Sequence, residues 1–384
     1  MKLVIYETTH HETLPSILDL SEVYFKYVAV FLKETTYQNL CSDAAPEHQW
    51  PHTIFFRQAE NYPNRNFIRD AVEHFKNNNF SHFHISTLDN NLFYFAWLIN
   101  GLKKAHISLS VQAVNEYCVY KYKGIRDITE SFAKLFFHKR IAHYRVFFPL
   151  MSGLLQKKIS GSTAVFIPSR FFSGVKANSK EPGNVFKIVI PGSVDPNRRD
   201  YDFVSGFLKT HTHLITKKKP VELIILGKCN TEFGIKFING LLALNAGNFK
   251  IKYFENYVSQ SEYQKNLEEA DIIWSPIHID TVGIRGTSEV YGLSTATGLT
   301  ADLLFNCKPA IVPYGFNIPE HYEDALLTYK SPDELVHLIL KFMNGYGEDI
   351  NSKIYQSFSF FVKENFLVHF ERLMKINTTN HIIR

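Results

Sequence analysis

Short apolar runs alternate along the chain with longer amphipathic stretches. Such runs, bounded by polar or turn-forming residues, are typical of strands that are buried on both faces of a parallel sheet. In the first half the predicted strands cover residues 2–7, 28–33, 53–57, 81–87, 107–114 and 164–168. The predicted helices cover residues 14–27, 66–77, 90–102 and 128–157. Strands that alternate with helices in this way predict an α/β fold.

The alternation stops at a polar segment and then restarts. Residues 171–184 are rich in Ser, Gly, Lys and Asn, which is typical of a linker. Beyond them the predicted strands cover residues 185–190, 221–226, 249–254, 271–276 and 309–313. The predicted helices cover residues 199–216, 231–244, 261–270, 295–306, 332–344 and 350–375. We therefore expect two doubly wound domains, residues 1–176 and 177–349, followed by a helical segment at 350–384.

Length and composition agree with this division and exclude several classes of protein. A chain of 384 residues exceeds what one core usually organises. Lys and Arg number 42 against 37 Asp and Glu, an excess too small to favour a nucleic-acid partner. The four cysteines form no CxxC pair, which argues against a zinc knuckle or a disulfide framework. The first residues contain no signal-peptide core and no apolar run could span a bilayer, so we expect a cytoplasmic protein.

The first candidate binding segment follows the first strand of the second half. Ligands of open parallel sheets bind at the carboxyl ends of strands. Gly192 lets a ligand approach the backbone, and the helix predicted to follow offers N–H groups and a partial positive charge. Arg198 and Arg199 add forked donors. With Ser193 these residues predict a diphosphate site, and a capped helix with solvated arginines is the alternative.

Two further segments carry candidate chemistry. Residues 286–309 run from a loop of small residues into a helix and then a strand, and their carboxylates Glu289 and Asp302 can accept bonds from sugar hydroxyls. Gly-rich loops before helices are also common without a ligand, so that alternative stays open. Residues 254–276 lie between the other two segments and end in Ala270-Asp271, four further residues and Pro276.

In chain order, the three segments resemble the nucleotide-sugar domain of GT-B glycosyltransferases, most closely family 4. Gly192-Ser193-Val194 stands where that family has Gly-Arg-Leu, and Arg198 stands at its diphosphate-binding lysine. Asp302, counted back from Lys308-Pro309, falls on the ribose-binding glutamate. The first arginine of the family pattern is Ser193 here, and the first acidic position is Ser294 or, in a second alignment, Glu289.

The resemblance implies two Rossmann-like domains that face a central cleft, with a C-terminal helix crossing back to the first. It implies metal-independent transfer of a hexose from a nucleotide-diphosphate sugar to a saccharide or lipid-linked acceptor, with retention of configuration, in polysaccharide biosynthesis. The sugar nucleotide is a substrate, and no cofactor is expected. The donor-binding candidates in these segments are Gly192, Ser193, Arg198, Arg199, Tyr257, Val258, Glu289, Tyr291, Gly292, Thr297, Gly298 and Asp302.

The N-terminal half resembles the acceptor domain in architecture alone. A retaining enzyme needs no strong base, because the donor phosphate can take the acceptor's proton, whereas an inverting enzyme needs a positioned base. The catalytic candidates after predicted strands are Asp89, His10 and His11, with Glu12 beside them. A GT-B-like sugar-nucleotide epimerase and a non-catalytic GT-B-like binding subunit are the alternative functions.

Residues 136–158 mix cations with phenylalanines and leucines. One interpretation is a helix that lies on an anionic membrane leaflet, which would make the protein peripheral on the inner face of a membrane. The other, which we favour, is an amphipathic helix packed on the first sheet with its cations extended to solvent.

Overall fold

Two parallel sheets carry the fold of the computed structural model, which describes residues 1–43, 49–88, 92–172, 174, 184–245, 247–283 and 286–376. The first sheet has seven strands in the order β3-β2-β1-β4-β5-β6-β7. These strands are β1 (Lys2–Tyr6), β2 (Tyr27–Lys33), β3 (Thr53–Gln58), β4 (His82–Ile85), β5 (His106–Val111), β6 (His143–Val146) and β7 (Thr163–Phe166). Every pair is parallel, and the central strand β1 is fully buried from Leu3 to Tyr6, as its unbroken apolar run predicts.

Helices cover the first sheet. They are α1 (Leu14–Tyr24), α2 (Glu34–Asp43), α3 (Asn64–Asn77), α4 (Leu92–Gly101), α5 (Val114–Cys118), α6 (Ile125–Arg140) and α7 (Pro149–Lys158). Helix α3 buries Phe67, Ala71 and Phe75, which recur every fourth residue on one face. The sheet and these helices are called the N-terminal lobe below.

The second sheet has six parallel strands in the order β10-β9-β8-β11-β14-β15. They are β8 (Phe186–Pro191), β9 (Val221–Lys228), β10 (Phe249–Phe254), β11 (Ile272–Trp274), β14 (Ala310–Pro313) and β15 (Leu326–Tyr329), and a separate antiparallel hairpin pairs β12 (Asp280–Val282) with β13 (Ser288–Val290). The helices are α8 (Tyr201–Ile215), α9 (Glu232–Leu242), α10 (Gln260–Glu269), α11 (Leu299–Asn306) and α12 (Pro332–Lys341). These elements form the C-terminal lobe.

The single helix predicted for residues 128–157 is wrong, because strand β6 separates α6 from α7. The strand escapes the pattern because Arg145 interrupts its apolar sequence, although the side chain of Arg145 is fully buried. Its guanidinium donates to the carbonyls of Thr13 at 2.7 Å and Pro168 at 2.6 Å and to the hydroxyl of Ser16 at 2.7 Å. These bonds satisfy the buried cation and join β6 to the loops after β1 and β7. Helix α2, strand β15 and the β12–β13 hairpin were also not predicted.

The last described helices return to the N-terminal lobe. A π turn at Phe342–Tyr346 leads into α13 (Gly347–Phe358), two 3₁₀ turns (Ser359–Phe361 and Lys363–Phe366) and α14 (Leu367–Met374). Three histidines at the starts of neighbouring strands contact successive carbonyls at the end of α14. The nitrogens of His82, His106 and His143 lie 2.8–2.9 Å from the carbonyl oxygens of Met374, Leu373 and Arg372, respectively. The predicted boundary at 176/177 lies outside the described residues.

Both sheets reverse their strand order at one internal position. In the first sheet the reversal lies between β1 and β4, and in the second between β8 and β11. Ligands of open α/β sheets bind in the crevice at such a switch point, beyond the carboxyl ends of the strands. The loops after β1 and β8 are therefore where function is to be sought, and they approach each other across the space between the lobes, as described below.

The histidines that bind α14 predict an acid-sensitive fold. Burial lowers the pKa of His106 to about 4 from an ordinary value of 6.5. The unfolded chain therefore binds the proton more readily, so the contribution of His106 to stability is complete above pH 6.5 and is lost as the pH falls towards 4. His106→Gln keeps an N–H donor but does not titrate. We expect this variant to lose less stability than the wild type in urea unfolding between pH 7 and pH 5, whereas the exposed His52→Gln should follow the wild type.

Candidate functional site

The loop after β8 makes a tight turn beneath the guanidinium of Arg199. Gly192 has φ +91°, and a Cβ built there would lie 2.3 Å from Nη2 of Arg199. The positive φ favours a glycine here, and a Cβ at this position would also displace the guanidinium of Arg199. Arg199 donates to the carbonyl of Ser193 at 3.3 Å, and its buried Nε has no hydrogen-bond partner.

Arg198 extends from the same turn towards solvent. Its side chain is 60% exposed, and its Nε lies 3.5 Å from the carboxylate of Asp195. The loop is joined to β11 and the residues after it, since Asp200 N donates to Pro276 O at 2.8 Å and His278 N to Arg198 O at 3.1 Å. Arg198 and Arg199 thus follow the carboxyl end of β8, and their binding of a diphosphate stays a prediction.

The prediction of an uncapped helix N-terminus at Arg199 is wrong. Helix α8 begins at Tyr201, not Arg199, and the carboxylate of Asp200 caps it by accepting from Phe203 N at 2.8 Å. This negative side chain occupies the tip that an anion would otherwise use. The positive charge offered to a ligand therefore comes from the two arginines.

The loop after β1 is built around the fully buried carboxylate of Glu7. Its oxygens accept hydrogen bonds from the backbone N–H groups of Thr9 at 2.7 Å and His10 at 2.8 Å and from the hydroxyl of Thr87 at 2.7 Å. Burial raises the pKa of Glu7 despite these bonds. The interactions fix the direction in which the following residues leave the sheet.

His10 and Glu12 form a pair on this loop. Nδ1 of His10 lies 2.8 Å from Oε1 of Glu12, and His11 Nδ1 lies 3.5 Å from the other oxygen. Burial opposes charge on both groups, but their mutual contact outweighs it. The pKa of His10 is raised and that of Glu12 is lowered. The pair therefore favours an imidazolium beside a carboxylate, with Arg198 close enough to oppose the charge on His10.

Asp302 lies on α11 and faces the same space from the C-terminal lobe. Its carboxylate accepts from the hydroxyl of Tyr263 at 3.0 Å. Burial raises the pKa of Asp302 to about 7, opposed by that bond and by the charges of Arg170 and Arg199, while Glu12 raises it further. The charges that act on Asp302 therefore come from both lobes, so these residues surround one cleft. Arg170 itself follows β7 and places its guanidinium 5.0 Å from the ring centre of Phe305 on α11.

The lobes are joined at one side of the cleft by the β12–β13 hairpin and its continuation. The carboxylate of Glu289, only 1% exposed, accepts from the backbone N–H of Glu116 at 2.6 Å and Asn115 at 3.4 Å. Val114 N donates to Ser294 O at 2.7 Å, and Ala296 N to Gln112 O at 3.1 Å. Both oxygens of Glu289 thus face the N-terminal lobe, and its contact with a sugar stays a prediction.

The other predicted donor-binding residues differ in how much of each side chain is exposed to solvent. Tyr257 is 67% exposed, whereas the side chain of Val258 is buried, so only the backbone of Val258 can reach a base. Tyr291 is buried, and Gly292 has φ +78° with its Cα packed against the backbone of Asn317. Thr297 caps the start of α11 by accepting from Leu299 N at 3.3 Å, beside the exposed Gly298. Asp89 lies outside the described residues.

Sequence reasoning missed Glu7, Tyr263 and Arg170. Glu7 ends an apolar strand and carries no motif, while Tyr263 and Arg170 acquire their positions through tertiary packing. For Glu7 and Arg170, position in the sequence could have indicated a site, because each follows the carboxyl end of a strand. Among the described residues no three His, Cys, Asp or Glu side chains cluster as a metal site would require.

Two parallel-sheet lobes around a central cleft define the GT-B fold, as the sequence predicts. TarM superposes with a TM-score of 0.55 and 12% identity over 81% of this chain, which spans 58% of TarM. The trehalose-6-phosphate synthase OtsA gives a TM-score of 0.58 and 9% identity over 98% of this chain and 99% of its own. A UDP-GlcNAc 2-epimerase from Neisseria meningitidis, bound to UDP-GlcNAc, superposes with a TM-score of 0.57 and 11% identity. The match covers 98% of this chain and 100% of the epimerase.

These neighbours comprise glycosyltransferases and epimerases of GT-B fold, and at such identities they establish the fold of this chain alone. No family model matches the chain, and neither does any curated protein.

The turn beneath Arg199 predicts a stringent requirement for Gly227 on β9. A Cβ there would lie 2.3 Å from the carbonyl carbon and oxygen of Gly192. We expect Gly227→Ala to displace the turn and lower the free energy of unfolding by about 1–3 kcal/mol. Gly240→Ala is the matched control, because nothing lies within 4 Å of its Cβ position in α9, and it should stabilise by about 0.5–1 kcal/mol. Urea unfolding checks both variants, and equal effects would contradict the packing described.

Proposed function

We propose that this protein transfers a hexose-type sugar from a nucleotide-diphosphate sugar to a saccharide acceptor in the cleft between its lobes. The observation that carries the proposal is the pair Arg198 and Arg199 at the switch point of the C-terminal lobe, facing His10 and Glu12 of the other lobe. The GT-B fold supports it, and so does the neighbour bound to UDP-GlcNAc. The family 4 resemblance of the sequence is part of this proposal.

The diphosphate of the donor binds the two guanidinium groups. The terminal nitrogens of Arg199 beside Gly192 and the exposed fork of Arg198 supply the donors. Asp302 accepts from the ribose hydroxyls, using the carboxylate oxygen that Tyr263 leaves free. The base lies near the exposed ring of Tyr257 and the backbone of Val258. The segment from Tyr291 to Gly298 borders the sugar.

The imidazole of His10 is placed to assist departure of the nucleotide. A diphosphate gains negative charge as the sugar leaves, and the imidazolium of His10 stabilises it across the cleft from the arginines. A protonated imidazole is a poor base, so the departing phosphate accepts the proton of the acceptor hydroxyl. This arrangement favours retention of configuration without a metal ion. His11 orients Glu12.

The acceptor enters from the N-terminal lobe, whose loops after β1, β4 and β5 surround the cleft. A saccharide offers hydroxyls to Glu12 and to the side chains near Gln112. A lipid-linked saccharide is the acceptor class that would also require peripheral contact with a membrane.

A sugar-nucleotide epimerase is the second candidate function, because an epimerase bound to its sugar nucleotide shares the fold over the whole chain. The Neisseria epimerase and this chain cover each other almost completely, as OtsA and this chain also do. An epimerase uses the same donor cleft but needs no acceptor.

Product analysis separates these functions. The protein is incubated with UDP-, GDP- and ADP-sugars in the presence and absence of oligosaccharide acceptors. The proposal predicts a nucleoside diphosphate and a glycosylated acceptor in the presence of both substrates. An epimerised sugar nucleotide formed without an acceptor would contradict sugar transfer and support the epimerase. Binding of a sugar nucleotide without turnover under any condition would indicate a binding subunit.

Loss of one guanidinium should weaken donor binding. Charge-assisted hydrogen bonds contribute about 1.5–3 kcal/mol, so Arg198→Ala should weaken nucleoside-diphosphate affinity roughly ten- to hundred-fold in titration calorimetry. Arg69→Ala is the matched control, because its side chain is 51% exposed on α3 of the other lobe. Equal affinities of Arg198→Ala and the wild type would contradict the diphosphate site.

The raised pKa of Asp302 predicts a pH-dependent donor affinity. Since the pKa of this carboxyl is about 7, it is mostly protonated at pH 6 and ionised at pH 8. Ribose hydroxyls donate better to the ionised form, so affinity for the intact sugar nucleotide should rise with pH. Asp302→Asn should remove this rise. It should also stabilise the ligand-free protein at pH 8, because a raised folded-state pKa means that ionisation of Asp302 destabilises the fold. An unchanged rise in Asp302→Asn would exclude Asp302 as its cause.

A further inference from the structure

Large apolar side chains lie exposed on two neighbouring helices of the N-terminal lobe. Helices α4 and α6 pack side by side, and the exposed fractions of Ile125 and Phe132 on α6 reach 84% and 68%. The exposed apolar side chains of the two helices, called the α4–α6 patch below, are Phe93, Trp97, Ile125, Ile128, Phe132, Leu135 and Phe136.

The patch is a second apolar face, distinct from the one that packs on the core. On α6, Ala133 and Phe137 are buried against the lobe. The exposed residues recur three or four positions apart from Ile125 to Phe136, so they form one stripe along the solvent side. A helix that only covers a sheet would carry polar residues there. Exposed apolar surfaces of this kind mark interaction sites.

Basic residues surround the patch at both ends. Residues 121–140 contain six Lys or Arg and two Asp or Glu, and of the six only Lys134 is buried, where it donates to the carbonyls of Glu116 and Val119. Lys123 and Arg126 are exposed at the start of α6, and Lys139 at its end. Lys103 and Lys104 are exposed just after α4, next to the end of α6, where Arg140 donates to Lys103 O at 3.0 Å. Apolar side chains bordered by cations match an anionic lipid surface.

The patch also lies close to the cleft. Helix α4 follows the loop after β4, whose Thr87 hydroxyl donates to Glu7 in the candidate site. Helix α6 follows residues 112–116, which form hydrogen bonds with the C-terminal lobe. Phe93 and Ile125 therefore stand at the end of the patch nearest the cleft.

We propose that the α4–α6 patch docks the protein on the surface of an anionic membrane, with the aromatic and aliphatic side chains in the interface and the lysines against the headgroups. The interpretation of residues 136–158 as one membrane helix is wrong, because β6 interrupts it and Phe148 and Leu155 are buried. The docking surface instead lies one helix earlier. None of the described helices has the length and apolar character needed to cross a bilayer, so the contact is with the surface.

A second copy of the chain fits the patch less well than a membrane does. Two-fold pairing through one surface brings the same residues of both copies together. It would place Lys123, Lys139 and their neighbours against identical cations. An anionic leaflet instead neutralises these charges while it covers the apolar stripe.

Vesicle sedimentation tests the proposal with the whole protein. The wild type should bind vesicles of phosphatidylcholine and phosphatidylglycerol, bind pure phosphatidylcholine vesicles much more weakly, and lose binding as salt is raised. Ile125→Ser/Phe132→Ser should reduce partitioning about tenfold or more, because two exposed apolar side chains no longer enter the interface. Ile235→Ser is the matched control, since Ile235 is a similarly exposed apolar residue on α9 of the other lobe.

Three results would overturn the proposal. The first is no binding of the wild type to anionic vesicles, and the second is equal binding by the double variant and the wild type. The third is a concentration-dependent dimer that the double variant abolishes without vesicle binding by the wild type, which would make the patch an interface between copies. Nucleoside-diphosphate affinity of the double variant should match the wild type, so failure of the donor site is detected separately.

Discussion

The close approach of the Arg199 guanidinium to the backbone of Gly192 is the contact on which the candidate site depends. The positive φ of Gly192 favours glycine at position 192, and Gly227 lacks the Cβ that would collide with the backbone of Gly192 and Ser193 where the neighbouring strand passes the turn. Nη1 of Arg199 donates to the carbonyl of Ser193 in the same turn. The strand order of the C-terminal sheet places this turn at the switch point.

The other half of the candidate site lies across the cleft. The N-terminal lobe contributes a carboxylate–imidazole pair whose direction is set by the buried Glu7, and the C-terminal lobe contributes the arginines and Asp302. Each lobe contributes only part of the candidate site. Two features hold the lobes in position relative to each other. Glu289 accepts hydrogen bonds from the backbone of residues 115 and 116, and α14 returns to the first sheet. A site assembled in this way depends on how the lobes are joined as much as on the side chains themselves.

Periodicity alone was enough for the fold, because buried parallel strands and amphipathic helices leave strong signals in the chain. It failed where a polar residue is buried, as at Arg145 in β6, since the bonds that compensate such a residue come from distant loops. The position of Arg198 and Arg199 could be predicted because it follows from one strand and one turn. The roles of Tyr263, Arg170 and Glu289 could not, since each depends on a neighbour far away in sequence. The capping of α8 by Asp200 was readable in principle, because Asp is a preferred capping residue.

The most direct test of the central claim is a crystal structure of the protein with a bound nucleoside diphosphate, chosen from UDP, GDP and ADP by thermal shift. We predict density for the diphosphate between the guanidinium groups of Arg198 and Arg199, with an oxygen within hydrogen-bond distance of a terminal nitrogen of Arg199 and the ribose at Asp302. A nucleotide bound elsewhere, or a cleft left empty by a ligand that raises the melting temperature, would contradict it.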